Sequence, residues 1–126
     1  MPVVPLVVSV PGIPPSPNQT RREHWAKRAK EARLWRESAF YAARQAMATA
    51  HGGWSFPLRS ASVRITLVST TAVRRDPDNA IAACKPVLDG IVQAGLLADD
   101  SFAVIRDLAV GVARGREEWT QIEVSA

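Results

Sequence analysis

The sequence predicts an α+β fold: a single domain over residues 1–126, a mixed β-sheet with two main helices, in the order β-α-β-α-β-β. Three observations carry that prediction. At 126 residues, 47% of them hydrophobic, the chain has the length of one ordinary domain and enough apolar surface to build a core without staples. Two stretches repeat apolar residues at helical spacing, the longer of them rich in Ala, Arg, Lys, Glu and Gln. Four others are rich in β-branched or alternating apolar residues, and no repeat, low-complexity tract or long linker divides the chain.

Residues 3–10 read as the first strand, β-branched and bounded by Pro2 and Pro11. This apolar start has no leading basic residue and is interrupted by Pro5, so it reads as a buried strand rather than a signal peptide or a membrane span. A soluble, cytoplasmic protein is expected, with no membrane partner. The four prolines of PGIPPSPNQT, residues 11–20, fix φ and remove donors, which predicts a loop or arm. Thr20 or Asn18 is placed to cap a long helix over 22–50, whose apolar face runs through Trp25, Ala29, Ala32, Leu34 or Trp35, Ala39, Ala43 and Met47, ending at Gly52-Gly53. Trp25 and Trp35 are assigned to the core or to a dimer interface, and His24 to the helix surface. Residues 62–70 alternate Val63, Ile65 and Leu67 with polar neighbours, which predicts a strand with one wet face. After a loop over 71–79, a second helix spans 80–94 and closes at Gly95, with Pro86 forcing a kink or a break. Residues 102–112 and 119–124 are the last strands, with Gly115 in the turn between them. Cys84, the sole cysteine, excludes an intramolecular disulfide and reads as a small core hydrophobe.

Charge is unevenly spread. Residues 1–75 hold 12 basic and 3 acidic side chains, whereas residues 76–126 hold 4 and 9. Of the 16 basic residues 13 are arginine, the side chain suited to bidentate phosphate contacts, although a high-GC coding sequence produces the same bias. A polyanion such as nucleic acid is the partner this pattern suggests. Arg21, Arg22, Lys27, Arg28, Lys30, Arg74 and Arg75 are the candidate DNA-backbone contacts. A solvated helix face is the competing account for those inside the helix.

The densest chemistry lies in Arg74-Arg75-Asp76-Pro77-Asp78-Asn79. In an extended segment Asp76 and Asp78 point the same way, roughly 6–7 Å apart at the backbone, and two such carboxylates repel unless a cation lies between them. Asp99-Asp100 supplies a second acidic pair. An all-oxygen donor set favours Mg²⁺ over zinc, since His24 and His51 lie far from both pairs in sequence. On one continuous helix Lys85 and Asp89 would fall within about 20° of the face that carries Asp78. Each fragment also has a plainer account: a turn and helix cap at Asp76–Asn79, a turn at Asp99-Asp100-Ser101, and a surface i,i+4 pair between Lys85 and Asp89.

Taken together, these residues resemble the RusA family of Holliday junction resolvases. The match is carried by Pro14-Pro15-Ser16-Pro17-Asn18 with His24-Trp25, and more specifically by Arg75-Asp76-Pro77-Asp78-Asn79, Lys85-Pro86-Val87-Leu88-Asp89-Gly90, Gly95 and Asp99-Asp100-Ser101, across about residues 5–105. The resemblance implies a homodimeric, Mg²⁺-dependent endonuclease that nicks opposing strands of four-way DNA junctions, in recombination and repair. It implies that Asp76, Asp78 and Asp100 are the metal ligands and Lys85 an essential basic residue, with Asn79, Asp89 and Asp99 in supporting roles. One departure stands out: AIAAC separates Asn79 from Lys85, about three residues more than in the best-known form, which keeps the facing of the lysine and lengthens its reach. A non-catalytic DNA-binding protein, and a nuclease for flaps or forks, are the alternative readings.

Overall fold

The computed structural model describes residues 4–72 and 75–126. Eight elements follow one another: β1 Leu6–Pro11, α1 Pro17–Thr20, α2 Trp25–Thr49, β2 Ala61–Ser69, α3 Pro77–Ala83, α4 Lys85–Gln93, β3 Ile105–Arg114 and β4 Trp119–Ser125. The expected order β-α-β-α-β-β holds, with α1 an added short helix and α3–α4 one helix broken in two.

The strands form a single sheet in the order β1-β4-β2-β3. β4 runs antiparallel to both β1 and β2, and β3 pairs parallel to β2, from Ala61 opposite Ile105 to Ser69 opposite Arg114. Parallel neighbours need a crossover, and α3–α4 provide it. Alternation settles which face is covered. Leu6, Val8 and Val10 of β1, Ile122 and Val124 of β4, and Ala61, Val63, Ile65 and Leu67 of β2 point to the helices and are buried, whereas Val7, Arg64 and Ser125 point away and are exposed. Two polar side chains are buried in this row: Thr120 donates its hydroxyl to the Gly12 carbonyl at 2.8 Å, and Ser69 donates to Glu118 Oε2 at 3.3 Å, so neither leaves an orphaned donor. Gly115 lies between β3 and β4 as expected, but the connection is not a hairpin. β3 and β4 lie on opposite sides of β2, so the connection crosses the end of β2, where the Gly115 N–H bonds the Ser69 carbonyl and a Cβ would lie 2.6 Å from Val68.

Several boundaries differ from expectation for local reasons. The proline loop contains α1: Ser16 Oγ accepts from the Gln19 N–H, and Gln19 Oε1 accepts from the Ser16 N–H, a reciprocal cap that starts a turn directly at Pro17. α2 therefore starts at Trp25, capped by His24 Nδ1 rather than by Thr20 or Asn18. Trp25, in the first turn, is 69% exposed against the His24 ring, and Leu34 is 51% exposed; neither belongs to the core, whereas Ala39 and Ala43 do. β3 starts three residues late because the Val104 and Ile105 N–H groups both turn back to the Ser101 carbonyl, which leaves Phe102 90% exposed. Among the described residues no helix is long and apolar enough to cross a membrane.

Candidate active site

Pro86 shapes the site. It has no N–H to give to Ala82, so the helix cannot run through it. The Cys84 N–H closes α3 on the Ile81 carbonyl, and Leu88 reopens the ladder on the Cys84 carbonyl. Cys84 itself, at ψ −2°, is the joint. The break overturns the single stripe expected for Asp78, Lys85 and Asp89, because the two halves no longer share one axis. It also sets Lys85 at the first position of α4, one turn before Asp89.

From there the Lys85 ammonium donates to Asp89 Oδ1 at 2.9 Å and to Asp100 Oδ2 at 2.8 Å. Both bonds favour the charged form, with the Asp100 contact the larger, so the lysine is held above its ordinary range. Asp99 beside it is held below the usual carboxylate range by the Ser101 hydroxyl first and the Asp100 backbone N–H second. Three residues scattered over 16 positions thus meet at one cation. The i,i+4 half of that contact was readable from spacing; the Asp100 half was not expected, because the resemblance implied Asp100 only as a metal ligand.

Asp76 and Asp78 sit elsewhere along the chain, at the N-cap and in the first turn of α3, both exposed. Asp76 and Asn79 line a small concavity of about 140 Å³ with Arg75, floored by Leu67 and walled by Ser16 and Gln19 of α1. Arg74 lies outside the described residues. Arg21, Arg22, Arg28 and Lys30 are exposed, as a backbone contact requires, and Arg75 is half-buried. Lys27 is engaged locally, by Glu23 and, at 4.0 Å, by Glu31, and its charge is held by the Glu23 hydrogen bond first, so of the set it is the least open to an outside anion.

No family model matches the chain, and no curated protein matches it. The RusA-like reading therefore stands on the motif residues and on where the fold puts them.

For a divalent ion the donors fit in chemistry, since Asp76, Asp78 and Asp100 offer exposed carboxylate oxygens to a hard cation. They are not gathered around one point: among the described residues no three His, Cys, Asp or Glu side chains are grouped to hold a metal. Sequence reasoning missed Arg36, which shares a concavity with Asp89 and Asp100. Its signal was there, a lone charge on the alanine-rich face of α2.

Proposed function

We propose that this protein is a structure-specific endodeoxyribonuclease of the RusA type, acting on branched DNA and above all on four-way junctions. The observation that supports the reading best is the Lys85 bridge: two of the motif aspartates, Asp89 and Asp100, 11 residues apart in the sequence, meet on the motif lysine. The arginine-rich segment on the same molecule supports it, because phosphate contacts supply most of the affinity of such proteins.

Hydrolysing a phosphodiester requires an activated water, a fixed phosphate and charge stabilisation at the departing oxygen. Asp76, Asp78 and Asp100 are the carboxylates that would hold Mg²⁺ once drawn together, and the ion would supply an activated water when bound. Arg21, Arg22, Arg28 and Lys30 track the DNA backbone, and Lys85 fixes the orientation of Asp100 while offsetting part of the local negative charge. Two symmetric nicks call for two such sites, which a homodimer provides. A DNA-binding protein without chemistry is the second reading, favoured by the fact that Lys85 already answers the Asp89 and Asp100 charges as an ordinary ion-pair triad does.

The deciding assay is nicking of a synthetic mobile four-way junction, wild type beside Asp76→Asn and Asp100→Asn, with Mg²⁺ or EDTA. Paired nicks that vanish in EDTA and in both variants are expected. Tight binding with no cut in any condition rejects the enzyme and leaves the binder. Equal cutting of flaps and four-way junctions redirects the substrate assignment.

A further inference from the structure

Trp25 is a large apolar side chain that the core does not use. It is 69% exposed in the first turn of α2, yet its ring is not left to wander. The indole lies 5.5 Å from the His24 ring, tilted by 32°, and His24 is itself fixed by the bond that its Nδ1 accepts from the Ala26 N–H. The spacing 25, 28, 32, 35 puts Arg28, Ala32 and Trp35 on the same side of the helix as Trp25. Those three residues line a concavity of about 220 Å³ that Pro14 and Pro15 close from the proline loop. Its one carboxylate, Glu31, is paired with Lys27 at 4.0 Å. One side of α2 thus carries an anchored open indole, then an exposed guanidinium, then a second indole at the back of a hollow.

Charge says what such a row can hold. Residues 21–36 contain seven basic and two acidic side chains, and both acids, Glu23 and Glu31, are paired with Lys27. Aromatic rings set along a cationic face suit a single strand, whose phosphates follow the cations while its bases stack on the rings. A paired duplex keeps its bases stacked inside and offers the rings nothing. The most exposed aromatic of the described residues, Phe102 at 90%, has the opposite setting, because it follows the acidic pair Asp99-Asp100, which repels a phosphate chain. We propose that Trp25 is the platform on which an unpaired base of branched DNA stacks, while Arg28 holds a phosphate of the same strand. The proposal rests on the DNA-binding half of the function proposed above and involves no metal ion.

The test is binding in EDTA, read by the anisotropy of three fluorescein-labelled duplexes: one fully paired, one with a bulge of unpaired thymidines, and one with the same bulge made of abasic sites. Wild type is expected to prefer the thymidine bulge to the abasic one by at least about fivefold, the worth of one stacked base. Trp25→Leu should bind both bulges alike, at the level wild type shows for the abasic one. Arg28→Gln should weaken both by the same factor, since the phosphates are common to them. A preference that survives intact in Trp25→Leu, or is absent from wild type, overturns the assignment and leaves the endonuclease reading standing. Wild type that binds none of the three duplexes and no four-way junction removes that reading and the role of Trp25 with it. Sedimentation checks the competing use of an exposed indole: a shift of Trp25→Leu to smaller species, with the base preference unchanged, gives the residue to a protein interface and rejects the stacking. Thermal melting controls for folding. Should Trp25→Leu melt early, tryptophan fluorescence decides: the thymidine bulge should quench wild type more than Trp25→Phe, and equal quenching overturns the assignment.

Discussion

Cys84 and Lys85 are chain neighbours with opposite surroundings. The thiol is buried at the α3–α4 joint, and desolvation pushes it up to about 11. Its folded value lies above the ordinary 9.0, so the stability it contributes is complete below pH 9 and is lost as pH rises toward 11, where unfolding releases a proton. Denaturant melts from pH 8 to 11 should therefore show a decline that Cys84→Ala reduces, and the wild-type thiol should resist alkylation at pH 8 until the protein unfolds. Lys85 is exposed and held charged by two aspartates, so it stays an ammonium throughout that range. At this scale the sequence was partly legible. Cys84 as a core residue and the Lys85–Asp89 pair followed from spacing, because helical geometry is local. The Asp100 contact spans 15 residues and a loop, which no periodicity encodes.

Among elements, the long helices and four strands were legible because their patterns are strong, and the misreadings fall where short-range chemistry competes. Four prolines read as a loop, yet Pro17 sits in the position where proline starts a helix and Ser16 with Gln19 completes the cap. Pro86 marked the break correctly, since the missing N–H is a property of the residue itself. The α2–α4 contact is the element-scale prediction. A Cβ on Gly90 would run into the Arg36 carbonyl oxygen, so Gly90→Ala must separate the helices or bend one of them, and overpacking of this kind costs about 1–3 kcal/mol. It should lower the denaturation midpoint with little change in slope. Ala43→Gly, on the same helix face, would weaken α2 by about 1 kcal/mol through propensity without forcing the helices apart.

For the whole molecule, the charge imbalance runs between elements that touch: α1, which precedes Arg21-Arg22, packs on α3, which Asp76 and Asp78 open. If six of the candidate cations contact phosphates, junction affinity should fall by about 10³ between 50 and 200 mM salt, with Lys27→Gln costing less than Arg22→Gln. A titration in which affinity barely moves with salt would contradict the backbone-tracking role. Sheet order was the part of the fold least visible in the sequence. β3 and β4 are separated by only four residues yet are not neighbours, and side-chain alternation says which face a strand shows and not which neighbour it takes. The order β1-β4-β2-β3 places β4 between strands that are synthesised before it. Until residues 119–125 emerge, β1 has no partner strand and β2 has one open edge. The nascent chain cannot complete its sheet stepwise, and its assembly waits for a single late insertion that joins both halves at once.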